Sequence, residues 1–322
     1  MFTLCDTFEK SPRLMRDVYC ERLIELALEN ENIVALDSDL IGSSGMKPFF
    51  SRFPDRAIQC GVAEANMIGI AAGLSAVGKI PFAHSFACFA SRRACDQIML
   101  AAAYSRQNVR IIGTDPGITA ALNGGTHMPF EDMAVLRSIP GITLLEPTDT
   151  VVLTDMLTKL AKLHGVYYLR TSRKDTVAIY NPGGTFEIGR GNLLLDGNDV
   201  TVIASGIMVA QALEAAAMLK AENVSARVID MFTWKPIDKD LICESAAKTG
   251  AVVTAENHNI VGGLGAAVAE VLCANTPIPM EMVGVRDQFG QVGVEDFLRI
   301  EYGLTARDIA DAAMRAIGRK SV

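Results

Sequence analysis

The stretch Cys60-Gly61-Val62-Ala63-Glu64-Ala65-Asn66-Met67-Ile68-Gly69-Ile70-Ala71-Ala72-Gly73 decides how this chain is read. It sets one carboxylate, Glu64, at a strand-to-helix turn and follows it with residues that are almost all small or apolar. A helix on which nothing prefers water is expected to be buried on most sides. A carboxylate at the head of such a helix is costly to desolvate unless a partner or a proton satisfies it. Two readings stay open on the residues alone. Glu64 complements or caps the positive end of the helix dipole, or it does chemistry at a buried site.

Working outward, strands and helices alternate on both sides of this stretch. Upstream, Ser11-Pro12 opens a helix to about residue 30, with Met15, Val18, Tyr19, Leu23 and Leu26 as its apolar stripe. A strand at 33–37 ends in Asp37-Ser38-Asp39-Leu40, polar residues at the carboxyl end of a buried strand, where open parallel sheets place ligands. Residues 44–57 read as irregular and 57–60 as a short strand. Downstream come a strand at 79–86, a helix at 87–105, a strand at 108–113 and a glycine-rich loop leading to Thr126-His127. A helix at 131–137, a strand at 142–146, a helix at 148–163 and a strand at 166–170 come next. This alternation predicts a doubly wound parallel sheet.

Tyr180-Asn181-Pro182-Gly183-Gly184 is a turn-rich linker. Beyond it lies a second set, with strands at 188–195, 200–204, 225–232, 252–255 and 280–285. Helices are expected at 208–219, 238–249, 262–273 and 306–317, the last capped by Thr305. The expectation is two α/β domains with doubly wound, mostly parallel sheets, over 1–185 and 186–322.

Composition narrows the function. Of 322 residues, 50% are hydrophobic and 21% charged, with a net charge of −7. The absence of any basic run interleaved with aromatics argues against nucleic acid. No stretch of about twenty apolar residues suggests a membrane span, and Asp6, Glu9 and Lys10 do not fit a signal peptide. The chain reads as soluble and cytoplasmic. Its seven cysteines are scattered without a Cys-x-x-Cys, and its four histidines are dispersed, so neither a disulfide framework nor a metal cluster is expected.

Five motifs occur in a telling order: Asp39-Leu40; Gly61-Val62-Ala63-Glu64; Pro81-Phe82 with Phe86-x-x-Phe89; Gly124-Gly125-Thr126-His127-Met128-Pro129; and Leu136-Arg137-Ser138-Ile139-Pro140. Together they resemble the C-terminal half of a transketolase, in the split form where two chains make one enzyme, and the likeness covers nearly the whole chain. The resemblance implies thiamine diphosphate as cofactor. It makes Glu64 the glutamate set against N1′ of the aminopyrimidine, which drives the imino tautomer that serves as internal base. By the same resemblance, Phe86 and Phe89 match the ring-packing positions, and Asp39 and Leu40 match the loop that approaches cofactor and substrate. His127 matches a histidine at the donor carbonyl or hydroxyls. Arg16, Ser43 and Arg173 match phosphate-grasping positions, suited to paired, charge-assisted hydrogen bonds. Plainer readings stand beside each: core packing for the phenylalanines, a turn for Asp39, a surface loop for His127, solvated charges for Arg16 and Arg173.

No Gly-Asp-Gly metal motif occurs here. The resemblance therefore implies that a partner, the N-terminal, diphosphate-binding transketolase subunit, binds the Mg²⁺ and the diphosphate end. The cofactor would be shared between subunits in an α2β2 heterotetramer acting on sugar phosphates. Three positions depart from the common pattern: Asp115 stands for a histidine, Asn123 for an aspartate, and Arg92 for an aromatic residue of the cofactor site. These departures suggest an unusual sugar as substrate. Other readings are a 1-deoxyxylulose-5-phosphate synthase-like or 2-oxoacid dehydrogenase E1 β-type subunit, toward which Arg93-Ala94-Cys95-Asp96-Gln97 leans, or a non-catalytic regulatory subunit.

Overall fold

The computed structural model describes residues 1–320. Twelve strands lie among them, in chain order β1 (Ile33–Asp37), β2 (Ala57–Gln59), β3 (Ile80–Phe86), β4 (Val109–Thr114), β5 (Ile142–Leu145), β6 (Val166–Thr171), β7 (Asn192–Leu195), β8 (Val200–Ala204), β9 (Ala226–Asp230), β10 (Thr233–Lys235), β11 (Val252–Asn259) and β12 (Met280–Val285). They form a seven-stranded sheet ordered β10-β5-β6-β4-β3-β1-β2 and a five-stranded sheet ordered β12-β11-β8-β9-β7. Pairing is parallel except for β10 on β5 and β7 on β9. The central strands β1, β3, β4 and β6 are almost wholly buried, and most of their residues are apolar. That is the signature of a sheet covered by helices on both faces.

The strand β10 comes from the second half of the chain yet closes the edge of the first sheet. A buried polar cluster joins the halves as well. Arg170, at the carboxyl end of β6, is fully buried. Its Nε donates to Asp132 at 2.9 Å, its Nη1 to Glu146 at 2.5 Å and its Nη2 to the Asn257 carbonyl at 2.9 Å. Ser205 donates to the other oxygen of Glu146 at 2.6 Å. Asp149 caps the helix Thr150–Leu160 and also accepts from the Ile179 and Tyr180 amides, which pins the linker.

Several element readings need correction. The first helix begins at Met15, not Ser11, because the amides of Ser11 and Met15 are taken by the carbonyls of Thr176 and Lys174. Residues 47–52 are helical rather than irregular. The expected uniform helix at 87–105 is instead wound partly as π-turns, over Phe89–Arg93 and Ile98–Tyr104. A short helix at Glu295–Glu301 adds to the expected set. The helix Glu64–Ala76 is buried on the side of Glu64, Met67, Ile68, Ala71 and Ala72, but Asn66, Gly69, Gly73 and Ala76 leave a face of small residues open. His84 and His258, given no role by the sequence, are buried packing groups. His84 meets the Leu36 carbonyl and the Tyr19 hydroxyl, and burial lowers it to about 4.

Candidate active site

Glu64 sits where a glycine makes the turn possible. Gly61 adopts φ +70°, a left-handed conformation that costs glycine little, and the helix starts three residues later. The capping reading fails on geometry: the N-cap residue is Ala63, and no side chain caps this terminus. The Glu64 carboxylate is 1% exposed and turns toward β3 instead. Ser85 donates its hydroxyl to Oε1 at 3.0 Å, and Arg93 donates Nη1 to Oε2 at 2.7 Å.

The carboxyl end of β3 delivers the aromatic residues. Phe86 is the last residue of the strand, and the chain then enters the π-wound turn that carries Phe89, Arg92 and Arg93. Such wide turns are uncommon and gather at functional sites. The two phenyl rings lie 6.3 Å apart, and His127 meets both edge-on, at 5.8 Å from Phe86 and 5.1 Å from Phe89. The Arg93 guanidinium lies 4.3 Å from the Phe89 centroid. Glu64, Arg93, Phe89, His127 and Phe86 are thus one contiguous surface.

Two glycines hold the histidine loop in place. Gly124 has φ +77°, and a Cβ on Gly125 would fall 2.1 Å from the Gly290 carbonyl oxygen. The segment around Gly290 therefore packs directly against the loop from the second half of the chain. Thr126 Oγ1 lies 2.9 Å from His127 Nδ1. That leaves Nε2 as the nitrogen free to face a ligand.

A second cluster borders Phe86. Arg173 lies 5.4 Å from its ring centroid and puts Nε 3.0 Å from Asp115. Burial raises the Asp115 carboxyl to about 6, against the opposing pull of Arg173, Lys174 and Arg16. Arg16 donates Nη1 to the Ser43 carbonyl at 3.3 Å. The sequence candidates Arg16, Ser43, Asp115 and Arg173 therefore form a group that reaches the aromatic surface.

Other candidates sit differently. Arg92 faces Glu131 at 3.0 Å and not the phenyl rings. Asp39 is exposed with φ +65°, its amide donating to Gln59. Asn123 is exposed at the end of the turn Gly117–Asn123. Two contributors were given no individual role from sequence. Arg93, read there only as part of Arg93-Ala94-Cys95-Asp96-Gln97, grips Glu64. Asp37, raised by burial to about 6, accepts from the Leu40 amide at 2.5 Å and from Ser44 at 3.0 Å, fixing the loop that carries Asp39.

The residues present fit one end of thiamine diphosphate. A buried carboxylate beside two phenyl rings suits a flat, apolar heterocycle with a basic nitrogen. Among the described residues no group of three or more histidine, cysteine, aspartate or glutamate side chains is placed to hold a metal ion. Nor is any described helix long and apolar enough to cross a membrane.

The transketolase pyrimidine-binding domain matches residues 12–177, and the transketolase C-terminal domain matches residues 189–309. The chain is 50% identical over 307 residues to the 6-deoxy-6-sulfo-D-fructose transketolase subunit SqwH of Clostridium sp. (strain MSTE9), covering 95% of each chain. It is 35% identical over 303 residues to an apulose-4-phosphate transketolase subunit of Phocaeicola vulgatus, covering 94% of this chain and 97% of that one. A solved structure described as a split gene transketolase, inactive beta4 tetramer, superimposes with a TM-score of 0.89 at 45% identity, over 96% of this chain and 99% of that chain. With both domains matched in order and relatives aligned over nearly their full length, the chain belongs to the transketolase family.

Proposed function

We propose that this chain is the pyrimidine-side subunit of a two-chain, thiamine diphosphate-dependent transketolase. It works with a subunit that supplies the Mg²⁺ and diphosphate half, and moves a two-carbon ketol unit from a ketose to an aldose in the breakdown of an unusual sugar. The observation that carries this reading is the buried Glu64 carboxylate, held by Ser85 and Arg93 beside Phe86, Phe89 and His127. When bound, thiamine diphosphate supplies the carbon nucleophile and the electron sink of ketol transfer.

The chain's own residues do the rest. Glu64 holds a proton at the aminopyrimidine nitrogen, in a site dry enough to strengthen that hydrogen bond. Phe86 and Phe89 bed the ring and exclude water. His127, oriented by Thr126, uses its free Nε2 to polarise the donor carbonyl or pass a proton to its hydroxyls. The open face of Asn66, Gly69, Gly73 and Ala76, flanked by Val62 and Val77 at 73% and 75% exposure, suits close packing of the partner beside Glu64. The chain divides near residue 185, and the assembly is α2β2. Calorimetric titration of thiamine diphosphate with Mg²⁺ tests this. Tight binding is expected only when the partner subunit is mixed in; tight binding to this chain alone would refute the shared site.

A further inference from the structure

The loop that carries His127 has little of its own to hold its tip. Gly124 and Gly125 give it backbone freedom, and Thr126 is exposed. Its exit is fixed beyond the histidine, where the Gly117 amide donates to the Pro129 carbonyl at 3.0 Å and the Asn259 amide to the Phe130 carbonyl at 2.8 Å. Beside Gly125 and Met128 opens a cleft of about 330 Å³, also lined by Arg92, Glu131, Phe289 and Gly290. A loop that borders open space is not locked by packing alone. One side chain bridges it to the turn that carries Phe89. Arg92 sets Nε 3.0 Å from Glu131 Oε1, where the same N–H also reaches the Cys88 carbonyl at 3.4 Å. Its Nη2 donates to the Thr126 carbonyl at 3.5 Å, a long contact. The other oxygen of Glu131 accepts from the Phe130 amide at 2.9 Å. One guanidinium thus joins the phenylalanine turn to the loop on both sides of His127.

The side chains of Arg92 and Glu131 are 48% and 36% exposed, and an ion pair so open to water adds little to stability. Among the described residues Glu131 is the carboxylate that pairs with Arg92, while Asp287 lines the same cleft without pairing. What the contact supplies is geometry. A planar fork of several donors can meet a carboxylate and a carbonyl together, and an aromatic residue at this position could not do both. The His127 ring lies edge-on to Phe86 and Phe89, so a shift of the loop tip moves the imidazole off both rings and carries Nε2 with it. Misplacing a reacting group by about 1 Å is costly in rate. We infer that Arg92 is a positioning residue: it ties the histidine loop to the phenylalanine turn and so sets where His127 Nε2 meets the donor sugar. This rests on the ketol-transfer reading above. Arg92 acts through His127 and does not itself join the aromatic surface.

The test uses Arg92→Gln and Glu131→Gln, which each remove one end of the tie at a part-exposed position; circular dichroism checks that both fold. In the full chain, labelled at histidine, NMR reads His127 directly. Ring currents of Phe86 and Phe89 should displace its ring-proton signals from those of the exposed His164, and both variants should draw them toward the His164 values. Activity is measured in the complex reconstituted with the partner subunit, thiamine diphosphate and Mg²⁺, with fructose 6-phosphate as donor and ribose 5-phosphate as acceptor. Each variant should lower kcat by about tenfold and leave the donor KM within about twofold. In a His127→Ala background, Arg92→Gln should cost less than about twofold further, because it acts through that histidine. Calorimetry should give a thiamine diphosphate affinity within about twofold of wild type. Unmoved His127 signals, an unchanged kcat, or a kcat loss that persists in full without His127 would overturn the inference. So would a folded Arg92→Gln variant that loses about fivefold or more in thiamine diphosphate affinity, which would make Arg92 a cofactor contact. Moved His127 signals in a complex whose wild type transfers nothing from the ketose would count against ketol transfer and leave the positioning standing.

Discussion

The contact between Arg93 and Glu64 makes a stability prediction with an unusual asymmetry. Glu64 is 1% exposed and Arg93 is 45% exposed, with Nη1 to Oε2 at 2.7 Å. Two unit charges about 4 Å apart attract by about 4 kcal/mol at an effective dielectric of about 20. Solvent around the half-exposed arginine screens much of this, leaving a coupling of about 1–2 kcal/mol. Replacing Arg93 by methionine keeps the aliphatic stem but leaves a buried carboxylate with Ser85 as its one remaining donor. It also removes the guanidinium from the face of Phe89, worth about 0.5–1 kcal/mol. Arg93→Met should therefore cost about 2–3 kcal/mol. Glu64→Gln should cost under about 1 kcal/mol, because the abandoned arginine can turn to water while the amide keeps its bond to Ser85. A double-mutant cycle by urea unfolding measures both costs and their coupling. A coupling below about 0.3 kcal/mol, or a glutamine variant less stable than the methionine variant, would refute this reasoning.

Three further outcomes are expected. In the reconstituted complex, Glu64→Gln should lower kcat by about 100-fold or more while leaving the fold intact by circular dichroism, since a proton-holding group is lost without loss of shape. Arg170→Met should destabilise the chain by about 3–5 kcal/mol in thermal or urea unfolding, because Asp132 and Glu146 are left as buried charges without their shared cation. Asp230, fully buried and accepting from Tyr180, is raised by burial to about 7. Its native form holds a proton that the unfolded chain gives up near pH 4, so its contribution is intact below that and is lost as pH rises through about 7. Asp230→Asn should thus be more stable than wild type at pH 8, and that advantage should vanish by about pH 4; unfolding curves across this range check the sign.

The sheet architecture was legible because its strands are continuous apolar runs separated by helix-length segments, and tertiary packing followed the local signals. Glu64 was legible as a misfit: a charge at the head of an apolar helix. The order of Phe86, Phe89 and His127 was legible, and the structure brings these residues together. The role of Arg93 was not. A uniform helix read over 87–105 hides a π-wound turn, and it is this widened turn that carries Arg93 above the Phe89 ring. Asp37 and Asp39 look equivalent in sequence; only burial shows that Asp37 takes the loop's amide and hydroxyl donors while Asp39 faces solvent. The strand Thr233–Lys235 was missed because three residues carry no period, and its partner lies nearly ninety positions away.

That short strand has a consequence for how the chain tolerates being broken. The turn-rich segment near Pro182 and Gly183 is exposed enough to be a site for proteolytic nicking. A nick there should not release two separate bodies. The N-terminal fragment would keep β5 with one side of its backbone bare, an invitation to promiscuous strand addition and aggregation. The C-terminal fragment would carry β10 as an orphan ribbon with Trp234, whose indole is buried in the intact chain. Each fragment is the other's missing edge, so a clipped molecule should elute at its original size and fall apart only when denatured.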